Sequence, residues 1–240
     1  MRWSLLVLVA CHYDATDYAG KACPCPSGYS CVANACIAGT IEADAAIDAP
    51  DYTTSCLASP LENLVYSNAT FADYPTSFTA IAGAWGDQPD GLHQGNESLN
   101  LAAIALNGIP GNGANEDYRV VVKAAGIAGA DGGAFDVALR VSATNKTMYQ
   151  CGLVPAMNQI VLARTDANSP DIDRETVAGD LSLMQTYILE AQVTGSQIEC
   201  CVRGVEGAHA MGTDTTFSGG PPGLKTYMMS AVFSDYAVFQ

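Results

Sequence analysis

The stretch 187–204, YILEAQVTGSQIECCVRG, constrains the fold most, because its turn chemistry and its hydrophobic alternation demand the same structure. Gly195 and Ser196 stand in the order of a type II′ turn, whose first central residue takes a positive φ that only glycine adopts without steric cost. With that turn at the tip, Val193 faces Ile198, Ala191 faces Cys200 and Leu189 faces Val202, so one side is wholly apolar. The alternate side carries Glu190, Gln192, Glu199 and Arg203. A slip of one residue would turn those polar groups into the core. The pattern therefore predicts an antiparallel hairpin in a half-buried sheet.

Further short strands follow the same rule. Residues 118–125 (YRVVVKAA) have mixed faces, 135–141 place Phe135, Val137, Leu139 and Val141 on one side, and 147–153 gather Tyr149, Cys151 and Leu153. The region 181–187 leads into the hairpin, and the chain finishes with two apolar segments around Asp235. No helix-length periodic run competes, and 23 glycines and 11 prolines suit turns between strands. Regularly spaced strands with turn signals predict an all-β sandwich. Charge narrows the partners: 25 acidic against 10 basic residues give −15. That field opposes phosphate backbones and anionic lipid headgroups, so no nucleic-acid partner is expected.

Nine cysteines point to an oxidising compartment. The first, Cys11, closes MRWSLLVLVAC, in which Arg2 precedes an apolar run ending Leu8-Val9-Ala10-Cys11. This resembles the bacterial lipoprotein signal, which implies removal of residues 1–10, lipidation of Cys11 and anchoring at the cell envelope, facing the periplasm or the exterior. A run this length is too short to span a bilayer. Residues 11–38 hold Cys23, Cys25, Cys31 and Cys36, a segment too small to fold without staples, so two disulfides are expected in preference to zinc. Residues 39–54, rich in Ala, Asp and Pro, read as an extended acidic linker before a domain at 55–240. Within that linker Glu42-Ala-Asp44 lacks the third carboxylate of a glycosidase E-x-D-x-x-E motif, Ala46 and Ile47 standing in its place.

The hairpin register sorts the remaining cysteines. Cys200 points inward with Val202, Cys201 points outward beside Glu190, and Cys151 shares an inward face with Tyr149 and Leu153. The expected bridges are Cys151 to Cys200 and Cys56 to Cys201, with Cys151 to Cys201 as the rival pairing. A bridge between the adjacent Cys200 and Cys201 is disfavoured by strain.

Taken in order, the strand at 118–125, Tyr149-Gln150-Cys151-Gly152-Leu153, Val202-Arg203-Gly204, Thr213-Asp214-Thr215-Thr216-Phe217, Pro222-Gly223-Leu224-Lys225-Thr226 and Ala231-Val232-Phe233-Ser234-Asp235-Tyr236 resemble the concanavalin A-like jelly roll of laminin-G-type and glucanase-like domains. The resemblance implies an antiparallel jelly-roll β-sandwich, a fold shared by lectins, hydrolases and adhesion modules. It also implies a structural calcium at Asp235, with Asp73 as a second ligand. Non-catalytic binding of a glycan or another cell-surface ligand is the leading expectation, with Trp85, Glu190, Glu199 and Arg203 as candidate contacts. A glycan hydrolase and a purely adhesive module are the alternatives. Glycosidase chemistry needs two carboxylates on rigid strands, for which Glu190 and Glu199 are the candidate pair, although a solvated sheet face is the expected reading. Trp85 is expected in the core in preference to stacking on a sugar ring. The histidines, His12, His93 and His209, are dispersed and form no zinc motif, and the sequons at Asn68, Asn96 and Asn145 carry little weight beside a lipobox.

Overall fold

The computed structural model describes residues 52, 54–109, 117–166 and 170–240 in full, and residues 29–32 and 35–38 by backbone. The chain divides into two units, Met1–Asp48 and Ala49–Gln240. In the first, β1 (Tyr29–Val32) and β2 (Ala35–Ala38) pair antiparallel, with Cys31 opposite Cys36. The candidate signal, Cys11, Cys23 and Cys25 lie outside the described residues, as do the side chains of Cys31 and Cys36.

The second unit is one antiparallel sheet of 13 strands folded into two layers. Two long strands, β8 (Tyr118–Ser142) and β15 (Gly223–Phe239), run through both layers and pair with each other along most of their length. In the first layer the latter part of β15 borders β3 (Leu64–Asn68) and β6 (Gly91–Gln94), which pairs with β5 (Trp85–Gln88). On its other side come the start of β8, then β12 (Tyr187–Thr194), β13 (Gln197–Val202) and β14 (His209–Thr213). The second layer runs β4 (Phe78–Ala82), β7 (Ala102–Leu106), the start of β15, the end of β8, β9 (Thr147–Val154), β10 (Gln159–Thr165) and β11 (Asp171–Thr176).

The predicted hairpin is β12–β13, in the expected register, with Gly195 at φ 57°. Its apolar side joins Val120, Val137, Leu139, Tyr149 and Phe233 in the core between the layers. Cys151 to Cys200 crosses that core and Cys56 to Cys201 lies on the outer side of the first layer, as the register required.

Two features depart from the sequence reading. The segments 118–125 and 135–141 belong to one continuous strand, because residues 126–134 carry the bend instead of a loop. Glycine permits this: a Cβ at Gly129 or Gly133 would lie 2.7 Å from Met228 O on the neighbouring strand. Secondly, Arg140 takes φ 50°, and the ladder between β8 and β9 shifts there. Val141 consequently leaves the inward row and packs with Ala138 and Met148 on the outer face.

The core also holds buried phenols. Tyr118 accepts from Arg140 N (2.5 Å) and donates to Gly220 O (3.0 Å), while Tyr149 donates to Asp214 Oδ1 (2.8 Å) and accepts from Phe217 N (2.9 Å). Burial pushes Tyr149 up to about 12 and Tyr118 and Tyr236 well above the ordinary value. A group whose folded pKa is raised contributes stability that is full below its unfolded value of 10.0 and is lost as pH climbs toward the folded one. The domain is therefore expected to lose stability steeply between pH 10 and about 12. A tyrosinate absorbance titration checks this: Tyr118, Tyr149 and Tyr236 should ionise only with the unfolding transition, and their smooth ionisation in a still-folded chain would refute it.

Candidate functional site

Alternation along β12 and β13 turns Glu190, Gln192, Glu199, Cys201 and Arg203 away from the core. The expected solvated face is not what lies there. Residues 55–61 cross it as a strap, so Glu190 retains 0% of its surface, and Gln192 and Glu199 are buried. Cys56 to Cys201 pins the strap, with 6.0 Å between Cα atoms. Ser55 Oγ donates to Glu190 Oε2 (2.6 Å), Ala58 N to Glu199 Oε1 (3.3 Å) and Leu61 N to Gln192 Oε1 (2.8 Å), while Gln192 Nε2 donates to Ser59 O (3.0 Å). Glu190, Gln192 and Glu199 thus satisfy strap backbone or hydroxyl groups that burial would otherwise leave unpaired. Just upstream, Tyr52, read from composition as linker, packs edge-on against Phe239, with centroids 5.4 Å apart.

Beneath the strap Glu190 is held by two arginines. Arg119 Nη1 lies 3.1 Å from Oε2, and Arg203 Nε pairs with Oε1. Arg119 in turn stacks over the Phe239 ring at 4.1 Å. Glu190 and Arg203, both candidate ligand contacts from sequence, are structural partners of each other here. The carboxylate pair considered for glycosidase chemistry is likewise committed to holding the strap. Local alternation reports which side a residue faces and is silent about what chain covers that side.

Other candidates have equally specific partners. Trp85 packs against Phe233 at 5.9 Å and donates its indole N–H to Ala82 O (2.9 Å). Asp235, buried and at φ 50°, pairs with Lys123 Nζ at 2.8 Å. Asp73 accepts from Tyr66 Oη (2.9 Å), Asn68 and Ser77. Asp73 and Asp235 therefore point to different partners, and among the described residues no group of three or more His, Cys, Asp or Glu is placed to hold a metal ion.

One part of the hairpin's outer face stays open. Where the strap leaves the tip, Ala58, Ser59, Leu61, Gln192, Thr194, Gln197 and Glu199 line a cavity of about 200 Å³. Pockets that hold drug-sized ligands span roughly 300–1,000 Å³, so this one accommodates a single small ring. Strands β12 and β13 supply a rigid floor, and Ala58 and Leu61 an apolar wall. Gln192 is fully engaged by the strap, and Glu199 Oε1 receives both Ala58 N and His209 Nε2 (2.8 Å). Glu199 Oε2 and the side chains of Ser59, Thr194 and Gln197 make no hydrogen bond among the described residues. An open cavity with unspent hydroxyl, amide and carboxylate groups can bind a polyhydroxylated ligand. Glu199 was legible as a candidate; Thr194 and Gln197 flank a tight turn and read as ordinary turn residues, and Ser59 arrives with the strap.

No family model and no curated protein matches the chain. Solved structures do. The carbohydrate-binding module CBM66 from Bacillus subtilis superposes with TM-score 0.58 at 17% identity, covering 68% of this chain and 96% of that one. A protein of unknown function with a galectin-like fold, also from Bacillus subtilis, gives 0.57 at 10%, covering 75% and 97%. Apo Crh5 transglycosylase gives 0.53 at 11%, covering 78% and 89%. At these identities the likeness establishes the fold alone, a jelly-roll β-sandwich.

Proposed function

We propose that the domain is a non-catalytic binding module for a glycan or another hydroxyl-rich cell-surface ligand. It would be displayed at the bacterial envelope through lipidation of Cys11. The observation that carries the binding reading is the open cavity beside the hairpin tip, with unspent Thr194, Gln197 and Glu199 groups on rigid strands and Ser59 on the strap. Structural neighbours that include a carbohydrate-binding module and a glycan-active enzyme support it. The hydrolase alternative is weakened because Glu190 and Glu199 are tied into the strap. Two disulfides in the domain accord with export.

Glycan-array screening of the purified chain, followed by titration of the best ligand, tests the reading. The side chain of Gln197 is exposed and makes no hydrogen bond among the described residues, so Gln197→Ala is expected to weaken binding about three- to tenfold while leaving the thermal midpoint unchanged. An array without a single bound glycan would favour the adhesive alternative.

A further inference from the structure

The cavity's electrostatics go beyond its shape, and what they imply rests on the glycan reading above. Of its seven lining residues, Glu199 alone is ionisable, and none is Lys or Arg. The nearest titratable neighbour is His209, whose Nε2 is occupied with Glu199 Oε1 at 2.8 Å. The two arginines of the same sheet face are turned elsewhere. Arg119 and Arg203 both hold Glu190, and Arg203 stands four residues beyond Glu199 on its strand. At about 3.3 Å per residue that is roughly 13 Å, further than the Debye length of about 8–10 Å at ordinary ionic strength. Asp235 and Lys123, further along the face, neutralise each other. Arg119 stands opposite Gln192 on the neighbouring strand but gives its Nη1 to Glu190, and Arg140, at the hairpin tip, gives its Nη2 to Gly195 O at 2.6 Å, so the one charged group that lines the cavity itself is the Glu199 carboxylate, in a chain whose net charge is −15.

We propose that this cavity selects sugars by charge: it takes amino sugars bearing a free ammonium in preference to neutral sugars, and rejects uronic-acid and sulfated glycans. The ammonium would donate a charge-assisted hydrogen bond to Glu199 Oε2, the oxygen the strap leaves free, while ring hydroxyls engage Ser59, Thr194 and Gln197. Such bonds are shorter and about twice as strong as neutral ones, and a buried carboxylate is screened less than an exposed one. An anionic ring in the same place would face like charge at hydrogen-bond distance. The cavity's volume limits this recognition to one ring, so a chain would be read at a single residue.

Short β-linked oligomers of glucosamine, N-acetylglucosamine and glucuronate, titrated at low salt and a pH that keeps the amine protonated, provide the test. Glucosamine is expected to bind about tenfold more tightly than its N-acetyl counterpart, and glucuronate most weakly. The preference should shrink as salt is added. Glu199→Gln keeps an acceptor for Ala58 N and the size of the side chain, and should abolish the preference by weakening glucosamine binding far more than N-acetylglucosamine binding. It removes one charge from a strongly acidic protein, so general attraction of a cationic oligomer would survive it. Equal affinity for the amino and N-acetyl sugars, or a preference that persists in Glu199→Gln, overturns the charge inference. If N-acetylglucosamine binds and Gln197→Ala weakens it, the glycan reading stands without that inference. If no sugar of any charge binds the folded chain, both fall.

Discussion

Replacing Glu190 with alanine is expected to destabilise the domain by about 3–5 kcal/mol, the range for removing one partner of a buried ion pair. Glu190 has no exposed surface, and its two oxygens serve three side chains: Arg119, Arg203 and Ser55. Arg119 is itself buried, its side chain 2% exposed, so the alanine variant strands a guanidinium that water cannot reach. Arg203, at 12%, can turn toward solvent. Two controls separate the causes. Arg203→Ala should destabilise by less than Glu190→Ala, because Arg119 continues to neutralise the carboxylate. Ser55→Ala removes one hydrogen bond to a charged group and is expected to cost about 1.5–3 kcal/mol. Urea unfolding measures all three, and the shift should appear in the midpoint with the slope retained. A Glu190→Ala variant within 0.5 kcal/mol of the parent would show that the network does not hold the strap.

That network marks where sequence stops being sufficient. The hairpin register and both disulfides follow from residues a few positions apart: Gly195 sets the turn, the turn sets the register, and the register decides that Cys200 faces Cys151 while Cys201 faces outward. What lies over the outward residues depends on Ser55, which is 135 residues from Glu190 in sequence. Nothing local to β12 or β13 carries that information. The charged face consequently looked like solvent, although it is a lining for the strap. Strand β8 was divided for a related reason. Residues 126–134 are rich in Gly and Ala and read as a loop in isolation, whereas their smallness permits close approach of Met228 across the ladder. The binding cavity was legible only through Glu199, since its other walls come from turn flanks and a distant segment. Fold class survives such gaps because it sums many independent alternations. A site is a single coincidence in space and does not.

A second large effect is expected at Asp136 and Lys225, which stand opposite each other on β8 and β15 with Nζ 3.0 Å from Oδ2. They retain 2% and 3% of their surface on the outer side of the second layer. Burial raises the Asp136 carboxyl above its ordinary 3.8, against the opposing pull of Lys225. Lys225→Met should therefore cost about 3–5 kcal/mol at neutral pH, because it removes the pull and keeps the burial. The sign of the pH dependence follows. With its folded pKa raised, Asp136 binds its proton more readily in the folded state, so stability falls as pH rises above 3.8 and recovers as pH is lowered. The deficit of Lys225→Met should shrink on acidification, which a cavity left by the shortened side chain would not do. Replacing both residues, Asp136→Leu with Lys225→Met, is expected to restore most of the loss, since a buried pair and an apolar pair of similar volume are often equivalent. A double-mutant cycle reads the coupling directly, and additive single effects would show that the ion pair contributes nothing. Space at the site is limited in one direction: a Cβ at Gly152 would fall 2.3 Å from Asp136 Oδ1, so the apolar pair must be accommodated away from β9. If the double variant folds as stably as the parent yet shows a broadened or mixed β8–β15 register, the pair's contribution is specificity. A one-residue slip would drive Lys225 into the core in place of Leu224, and a charge opposes that slip more strongly than any apolar substitute.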